Sequence, residues 1–258
     1  MKYLIILLLL SLSIPTSKAQ DLHFKKQPVF KAGEELNYRF RYGFITAAEA
    51  TLRVKDSDVK FNSQGVYQLT AEGRTAGTFN VFYKVRNRYD SYIDKTELLP
   101  FLYTEDIREA NYRRKDKARF YQDQGRIVTN KGVFKGNGQT FDIVSAYYFA
   151  RSLDLSKIKS GGKFNMDYFL DDGVTTLSVQ YLGKERVKTA MGTFNCLKFS
   201  PSIQPGRIFR KDSKLYLWIT DDENRIPVKA QVEILVGSVT MELTGASGLR
   251  HPLIAANK

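Results

Sequence analysis

The sequence is poor in the residues from which most disulfides, metal sites and catalytic triads are built. Cys196 is the only cysteine among 258 residues, so no disulfide can form within the chain. His23 and His251 are the only histidines and lie near opposite ends, which argues against a zinc site or a histidine-based triad. There is no phosphate-binding P-loop and no dinucleotide fingerprint. We therefore predict no metal, no cofactor, and a fold stabilised by a hydrophobic core in which Cys196 is buried.

Long apolar runs are also absent, except at the N-terminus. Lys2 precedes an apolar run from Leu4 to Ile14, and Ser17 and Ala19 provide small residues before Gln20. This pattern predicts a secretory signal peptide over residues 1–19, with cleavage before Gln20. Since no later segment approaches the length of a membrane-spanning helix, we expect an exported, soluble protein rather than an integral membrane protein. Its location would be the periplasm if the source is a Gram-negative bacterium.

Acidic residues are few relative to basic ones. The chain has 40 Lys and Arg against 27 Asp and Glu, a formal net charge of +13. Removal of residues 1–19 would take away only two of these basic residues, Lys2 and Lys18, so the remaining protein would still be strongly basic. Such a charge favours anionic surfaces, and the candidates in a cell envelope are lipid headgroups and acidic glycans. Nucleic acid is not an expected partner in that compartment, and the alternative is a basic surface that is merely solvated.

What the sequence has in abundance is period-two alternation of apolar and polar residues. Leu36, Tyr38 and Phe40 alternate with charged and amide side chains, and residues 227–235 repeat the pattern. Alternation of this kind, separated by short turn signals such as 62–65 and 171–173, is typical of half-buried antiparallel strands. We predict an all-β fold, an antiparallel rolled or barrel-like sheet, in one domain over residues 30–245. Residues 20–29 would form an N-terminal arm, and residues 246–258 a polar tail.

One segment departs from this alternation. Ile143, Ala146, Tyr147 and Ala150 recur at close to helical spacing, and Asp142 precedes them as a candidate N-cap. The spacing predicts one main helix near residues 142–152, between an N-terminal and a C-terminal set of strands.

Two pairs of adjacent aspartates are candidates for carboxylate catalysis. Asp171 and Asp172 precede Gly173, while Asp221 and Asp222 follow the strand-like run that contains Trp218. One acid from each pair could in principle act as the acid and base of a glycosidase. Both stretches have turn compositions, however, and we interpret them as hairpin corners.

Tyrosines beside arginines are the stronger functional signal. Tyr and Arg on a concave sheet can stack on sugar rings or line a lipid slot with a polar rim, although most aromatics of a β fold pack in its core. The candidate ligand-binding residues are Tyr38, Tyr42, Tyr83, Arg86, Arg88, Arg151 and Trp218.

Several blocks resemble the DUF3108 family of exported bacterial proteins. The carriers of the resemblance, in order, are FKAGEELNYRFRYGFITAAEATLRV, FYKVRNRYDSYID, FDIVSAYYFAR, MGTFNCLKFSP and LWITDDENRIPVKAQVEILVGSVTMEL. Together they cover about residues 30–245, with one departure at Ala47-Ala48, where a glycine is expected. The resemblance implies an all-β, barrel- or roll-like periplasmic domain, and it implies no catalytic residues because the family has no known function.

Three functions remain open at this point. The favoured one is a non-enzymatic envelope protein that binds an anionic amphiphile or glycan in an aromatic-lined cleft. The second is a hydrolase of envelope glycans that uses the paired carboxylates. The third is a scaffold or assembly factor that binds another envelope protein through an exposed strand edge.

Overall fold

A computed structural model describes residues 27–203 and 213–256, which form fifteen β-strands and two α-helices. The first half of the chain contains β1 (Glu35–Tyr42), β2 (Ile45–Phe61), β3 (Gln64–Thr75), α1 (Phe79–Phe82), β4 (Arg86–Asp94), β5 (Pro100–Glu109), β6 (Tyr112–Tyr121), β7 (Arg126–Thr129) and β8 (Gly132–Lys135). The second half contains β9 (Thr140–Phe141), α2 (Ile143–Arg151), β10 (Lys163–Leu170), β11 (Gly173–Thr189), β12 (Gly192–Pro201), β13 (Leu215–Thr220), β14 (Pro227–Glu233) and β15 (Ser238–Ser247).

All fifteen strands belong to one sheet that does not close on itself. Its order is β8-β7-β6-β5-β4-β3-β2-β1-β15-β14-β13-β12-β11-β10-β9, and every pair is antiparallel except β9 with β10. The chain therefore makes two meanders that meet where β1 pairs with β15, with Glu35 opposite Ser247 and Tyr42 opposite Val239. This arrangement confirms the predicted all-β antiparallel sheet, and it places the first and last strands side by side at the centre.

The turn signals in the sequence become tight hairpins. Asn62 and Ser63 join β2 to β3, and Asp171 and Asp172 join β10 to β11, all four with positive φ. Two consecutive residues with positive φ are the geometry that matches the right-handed twist of paired strands, and Asn and Asp tolerate it better than most residues. The pair Asp171/Asp172 is thus a hairpin corner, as the sequence indicates.

Helix α2 begins where the sequence predicts a cap. Asp142 accepts hydrogen bonds from the backbone N–H groups of Val144 and Ser145, and the Ser145 hydroxyl accepts from the backbone N–H of Asp142. This reciprocal capping box satisfies donors that a helix start leaves unpaired. Burial raises the pKa of the Asp142 carboxyl. These hydrogen bonds, and one from the Ser91 hydroxyl 2.6 Å from its second oxygen, act in the opposite direction and lower it.

The buried apolar side chains form two clusters. The larger one, the helix-side core, packs α2 against strands of both meanders and includes Leu69, Ile93, Tyr148, Phe149 and Phe199. The smaller one, the tail-side core, contains Leu36, Phe194, Cys196, Trp218 and Leu243, and Leu249 and Leu253 pack against it.

The sequence expectations for the chain ends have different outcomes. Residues 1–19, the predicted signal peptide, lie outside the described residues, as does most of the predicted arm. The predicted polar tail packs back onto the sheet: Ala256 donates to the carbonyl of Thr193, and the Asn224 side chain donates to the carbonyl of His251. The tail therefore covers part of the tail-side core. Helix α1, four residues long, has no periodic signature and was not predicted.

Candidate functional site

An apolar pocket of about 280 Å³ opens between α2 and strands β10–β14. Helix α2 contributes one wall, and the facing wall comes from alternate residues of the strands. The lining residues are Ile143, Ala146, Tyr147, Ala150, Arg151, Leu155, Phe164, Met166, Tyr168, Leu177, Val179, Phe199, Pro201, Ser202, Leu215, Leu217, Ile219 and Pro227. Ile143 is 48% exposed, so the pocket reaches the protein surface. A concave apolar lining with few polar groups is the usual character of a small-molecule site.

The only charged side chain in this lining, Arg151, is already paired. Its Nη1 and Nη2 atoms lie 2.6 and 3.0 Å from the two carboxylate oxygens of Glu34, and Nη2 also donates to the carbonyl of Asn224 at 3.1 Å. Both side chains of the pair are almost fully buried. Burial opposes the charge of Arg151, but the Glu34 carboxylate outweighs it and raises the guanidinium pKa. Arg151 thus joins α2 to the residue before β1 and to the β13–β14 turn.

Two tyrosines link the pocket to the centre of the sheet. The Tyr147 hydroxyl lies 3.1 Å from the hydroxyl of Tyr38 on β1. Burial raises the pKa of both phenols, so both remain neutral and able to donate at physiological pH. Tyr38 therefore holds the pocket-forming helix against the sheet.

A second concavity, of about 690 Å³, lies over strands β1–β5 and has a strongly polar lining. We call it the arginine groove. Six arginines and three acids line it: Arg39, Arg53, Arg74, Arg86, Arg88, Arg108, Glu49, Glu72 and Asp106. Four of these arginines form ion pairs, such as Arg53 with Glu35 and Arg88 with Asp90. Within residues 27–203 and 213–256, Arg39 and Arg86 have no carboxylate within 4.0 Å, so the groove carries net positive charge.

The predicted ligand-binding residues divide among separate places. Arg151 lines the apolar pocket, and Tyr38 supports it. Arg86 and Arg88 line the arginine groove, where Arg86 donates to the Asn80 side chain at 2.9 Å. Tyr42 donates to the carbonyl of Val236, and Tyr83 is half exposed beside α1. These assignments stay predictions.

Trp218 lies on the opposite side of β13 from the apolar pocket. Its neighbours Leu217 and Ile219 line the pocket, whereas Trp218 packs in the tail-side core. The ammonium groups of Lys198 and Lys229 lie 5.0 and 5.2 Å from its ring, within cation–π range. Trp218 is therefore a packing residue in this structure.

The acids beside Trp218 act in the turn. Asp222 accepts hydrogen bonds from the backbone N–H groups of Asn224 and Arg225 at 3.0 Å and from the Thr220 hydroxyl at 2.6 Å. Asp221 forms an ion pair with Lys184 at 2.6 Å. The sequence suggested Arg225 as the partner of Asp221, and that pairing was wrong because Asp221 pairs with Lys184 instead. Lys184 lies on β11, two strands from β13 in the same meander. Asp171 and Asp172 pair with Arg114 and Lys131.

The remaining expectations concern the single cysteine, metal binding and membrane-spanning helices. Cys196 is buried, which raises the pKa of its thiol to about 12. In the part of the chain that the structure describes, no group of three or more His, Cys, Asp or Glu residues could hold a metal ion. No helix within those residues is long and apolar enough to cross a membrane.

Sequence reasoning missed most of the pocket. Every second residue of two strands lines it: Phe164, Met166 and Tyr168 on β10, and Leu215, Leu217 and Ile219 on β13. The sequence pattern therefore shows that each of these sets lies on one face of its own strand. The sequence pattern does not show that both strands face α2, because β13 and β10 are separated in the sheet by β12 and β11.

Comparison with known proteins agrees with this fold. The model of a family described as a protein of unknown function, DUF3108, matches residues 37–244, so the chain belongs to the DUF3108 family. No curated protein sequence matches the chain significantly. A beta-barrel-like protein of a domain of unknown function, DUF1849, from Brucella abortus is similar in structure, with a TM-score of 0.57 and 9% identity over 86% of this chain and 98% of that one.

Two further solved structures are more distant. A DUF1089 family protein from Pseudomonas aeruginosa has a TM-score of 0.42 and 11% identity, over 71% of this chain and 89% of that one. A Bacteroides fragilis protein, whose description proposes export and names a YmcC-like fold, has a TM-score of 0.36 and 11% identity, over 87% of this chain and 100% of that one.

Proposed function

We propose that this DUF3108 member is a non-enzymatic binding protein of the cell envelope whose ligand is an anionic amphiphile. Its hydrocarbon part would occupy the apolar pocket between α2 and β10–β14. The observation that carries the proposal is the lining of that pocket, which is apolar except for Ser202, the Tyr147 and Tyr168 hydroxyls and the paired Arg151. Export to the periplasm belongs to the same proposal.

The lining favours an acyl chain over a glycan. A sugar ring needs several convergent hydrogen-bonding groups, and its hydroxyls would be left without partners against Phe164, Met166 and Leu217. An alkyl chain loses no hydrogen bond there and gains from leaving water. The volume of about 280 Å³ is near the lower limit of small-molecule pockets, which suits one narrow chain.

The headgroup would remain outside the pocket. Both terminal nitrogens of Arg151 are engaged by Glu34, so an anionic headgroup at the base would meet a neutralised pair rather than a free cation. Placing it there would cost the desolvation of a second anion. We therefore assign the headgroup to the solvent-facing mouth near Ile143, where the basic net charge of the protein favours an anion.

Displacement of a fluorescent acyl probe, dansyl-undecanoic acid, tests this assignment. The wild-type protein should bind the probe, and medium-chain fatty acids should displace it. Ala150→Phe should weaken probe binding at least about tenfold, because the half-buried Ala150 lines the pocket and a phenyl ring would fill it. Without the probe, binding of an unlabelled medium-chain fatty acid should leave Trp218 emission nearly constant, since that side chain lies across the strand from the pocket.

Val133→Phe is the matched control, because Val133 is an exposed apolar residue on β8 outside the pocket. It should bind the probe as the wild type does. Equal probe affinity in Ala150→Phe and the wild type, or no probe binding by the wild type, would contradict the proposal.

A further inference from the structure

Exposed apolar side chains are concentrated at one end of the sheet. Four connections meet there: the β1–β2 turn, the β3–β4 connection with α1, the β5–β6 turn and the β14–β15 turn. They carry nine of the fourteen large apolar side chains that are exposed in the described residues: Phe44, Ile45, Phe79, Val81, Phe82, Tyr83, Tyr112, Leu235 and Val236. We call this group the apolar rim.

Three members of the rim are almost completely exposed. Phe44 is 94% exposed, Phe82 is 82% exposed and Val81 is 80% exposed, values that a folded protein rarely gives to neighbouring large apolar residues. Single exposed hydrophobes need no explanation, but a group on adjacent turns marks a surface that binds something.

The turns of the rim are held in fixed positions. Ala76 donates from its backbone to the carbonyl of Ala47, which ties the β3–α1 segment to β2. The Tyr42 hydroxyl donates to the carbonyl of Val236 at 3.1 Å, which ties the β14–β15 turn to β1. Ala110 donates to the carbonyl of Lys84 at 2.8 Å, which joins the β5–β6 turn to the segment after α1. The rim is thus one supported surface built from four segments.

Basic side chains surround the apolar rim. Lys84 lies in the connection between α1 and β4, Arg86 begins β4, and Arg113 is the second residue of β6, just after the β5–β6 turn. Within residues 27–203 and 213–256 none of the three has a carboxylate within 4.0 Å; Arg113 donates only to backbone carbonyls, and Arg86 donates to Asn80 and backbone carbonyls. The arginine groove lies immediately below, with Arg39 equally free of a carboxylate. Apolar tips with unneutralised cations beside them have the chemistry of a membrane-docking surface.

We propose that the apolar rim docks this protein onto an anionic lipid bilayer. The side chains of Phe44, Val81 and Phe82 would enter the boundary between headgroups and acyl chains. Lys84, Arg86 and Arg113 would pair with lipid phosphates in the headgroup region of the bilayer. A protein partner would need a complementary surface across four separate turns, whereas a bilayer adapts to protruding tips. The proposal stands apart from the acyl-chain pocket, since no rim residue lines that pocket.

Vesicle cosedimentation tests the proposal. The mature protein should bind vesicles of phosphatidylethanolamine and phosphatidylglycerol, bind vesicles of phosphatidylcholine at least about tenfold more weakly, and lose binding as salt is raised. The double variant Phe44→Ser/Phe82→Ser should reduce binding to the anionic vesicles at least about tenfold. Val59→Ser/Val133→Ser is its matched control, because both residues are exposed apolar positions away from the rim, and it should bind normally.

Charge is tested in a second pair of variants. Lys84→Gln/Arg113→Gln should weaken binding to anionic vesicles severalfold and flatten its salt dependence. Lys157→Gln/Lys188→Gln removes the same charge from exposed positions elsewhere and should leave binding close to that of the wild type. Should Phe44→Ser/Phe82→Ser fail to fold by circular dichroism, Val81→Ser/Val236→Ser replaces it with the same expectation.

Three results would overturn the proposal. The first is equal binding of the wild type to neutral and anionic vesicles, and the second is undiminished binding by the rim variants. The third is the absence of vesicle binding together with a self-association of the chain that Phe44→Ser/Phe82→Ser abolishes, which would make the rim a protein interface. None of these results bears on acyl-probe binding, so failure of one proposal is distinguishable from failure of the other.

Discussion

The two ends of the central strands treat polar and apolar groups in opposite ways. At the end where β1 and β14 begin, polar groups are paired: the buried Glu34 with Arg151, and the half-buried Asp222 with the backbone of its turn. We call this the closed end. At the other end, the apolar rim exposes side chains as large as Phe44 and Phe82. Burying a charge and exposing a phenyl ring are both unfavourable for a protein on its own.

The difference indicates a division of roles along the strands. The closed end gains a connection between α2, the start of β1 and the β13–β14 turn, so its buried polar groups have a structural use. The rim gains nothing within the chain from its exposed groups, so their use lies in contact with something outside. Substitutions at the closed end should therefore change stability, and substitutions at the rim should change binding.

The largest effect on stability is expected for Glu34→Ala at the closed end. It would leave the Arg151 guanidinium charged and buried without a counter-ion, and removal of one partner of a buried pair costs about 3–5 kcal/mol. Urea unfolding of the mature protein measures this change. Glu35→Ala is the control, because Glu35 makes a part-exposed ion pair with Arg53, and it should cost less than about 1 kcal/mol. Equal losses in both variants would remove the special role of the buried pair.

The next largest loss of stability is expected for Trp218→Ala, which removes apolar contacts rather than an ion pair. Trp218 is 5% exposed and packs in the tail-side core, so truncation should cost about 3 kcal/mol, the lower end of the range for a buried Trp. Tyr216→Ala, at a half-buried neighbour two residues away, should cost less. Thermal unfolding followed by circular dichroism gives both values. A loss below about 1 kcal/mol for Trp218→Ala would mean that this side chain is not packed in the tail-side core in solution.

Smaller effects are expected at the acids of the β13–β14 turn. Asp222→Asn retains an oxygen that can accept from Asn224 and Arg225, so the free energy of unfolding should fall by no more than about 1 kcal/mol. Asp222→Ala removes all three bonds and should cost more. If Asp221→Asn or Asp222→Asn folded normally yet abolished a glycan-cleaving activity, the acids would be catalytic and the binding-module account would be wrong.

The smallest effect on stability is expected at the rim. Phe82→Ser should change the free energy of unfolding by no more than about 0.5 kcal/mol, because its side chain is 82% exposed and contributes little to packing. Urea unfolding beside the wild type checks this value. A loss of several kcal/mol would mean that the rim is part of the core and would end the contrast between the two ends.

Much of this architecture follows from local sequence signals. Period-two alternation predicts the strands, Asp142 with Ser145 predicts the start of α2, and Asp171 and Asp172 predict a hairpin. Each of these features depends on residues a few positions apart, where local hydrogen bonds and backbone preferences decide the conformation.

The functional surfaces depend on pairings between distant residues. Arg151 and Glu34 are 117 positions apart, and no local pattern identifies either as the partner of the other. The β14–β15 turn joins the other three turns of the rim only because β1 pairs with β15. Sequence reasoning did select Tyr42, Tyr83 and Arg86, but as residues of one cleft, whereas the sheet order places them at the rim and in the arginine groove beside it.

Hydrogen–deuterium exchange with and without phosphatidylethanolamine–phosphatidylglycerol vesicles tests the division between the two ends most directly. The account predicts that amides of residues 43–46, 77–83 and 234–237 exchange more slowly on vesicles, while those of the 220–226 turn exchange at an unchanged rate. Slower exchange of residues 220–226 in place of the rim would contradict it, and so would exchange rates that anionic vesicles leave unchanged throughout the protein.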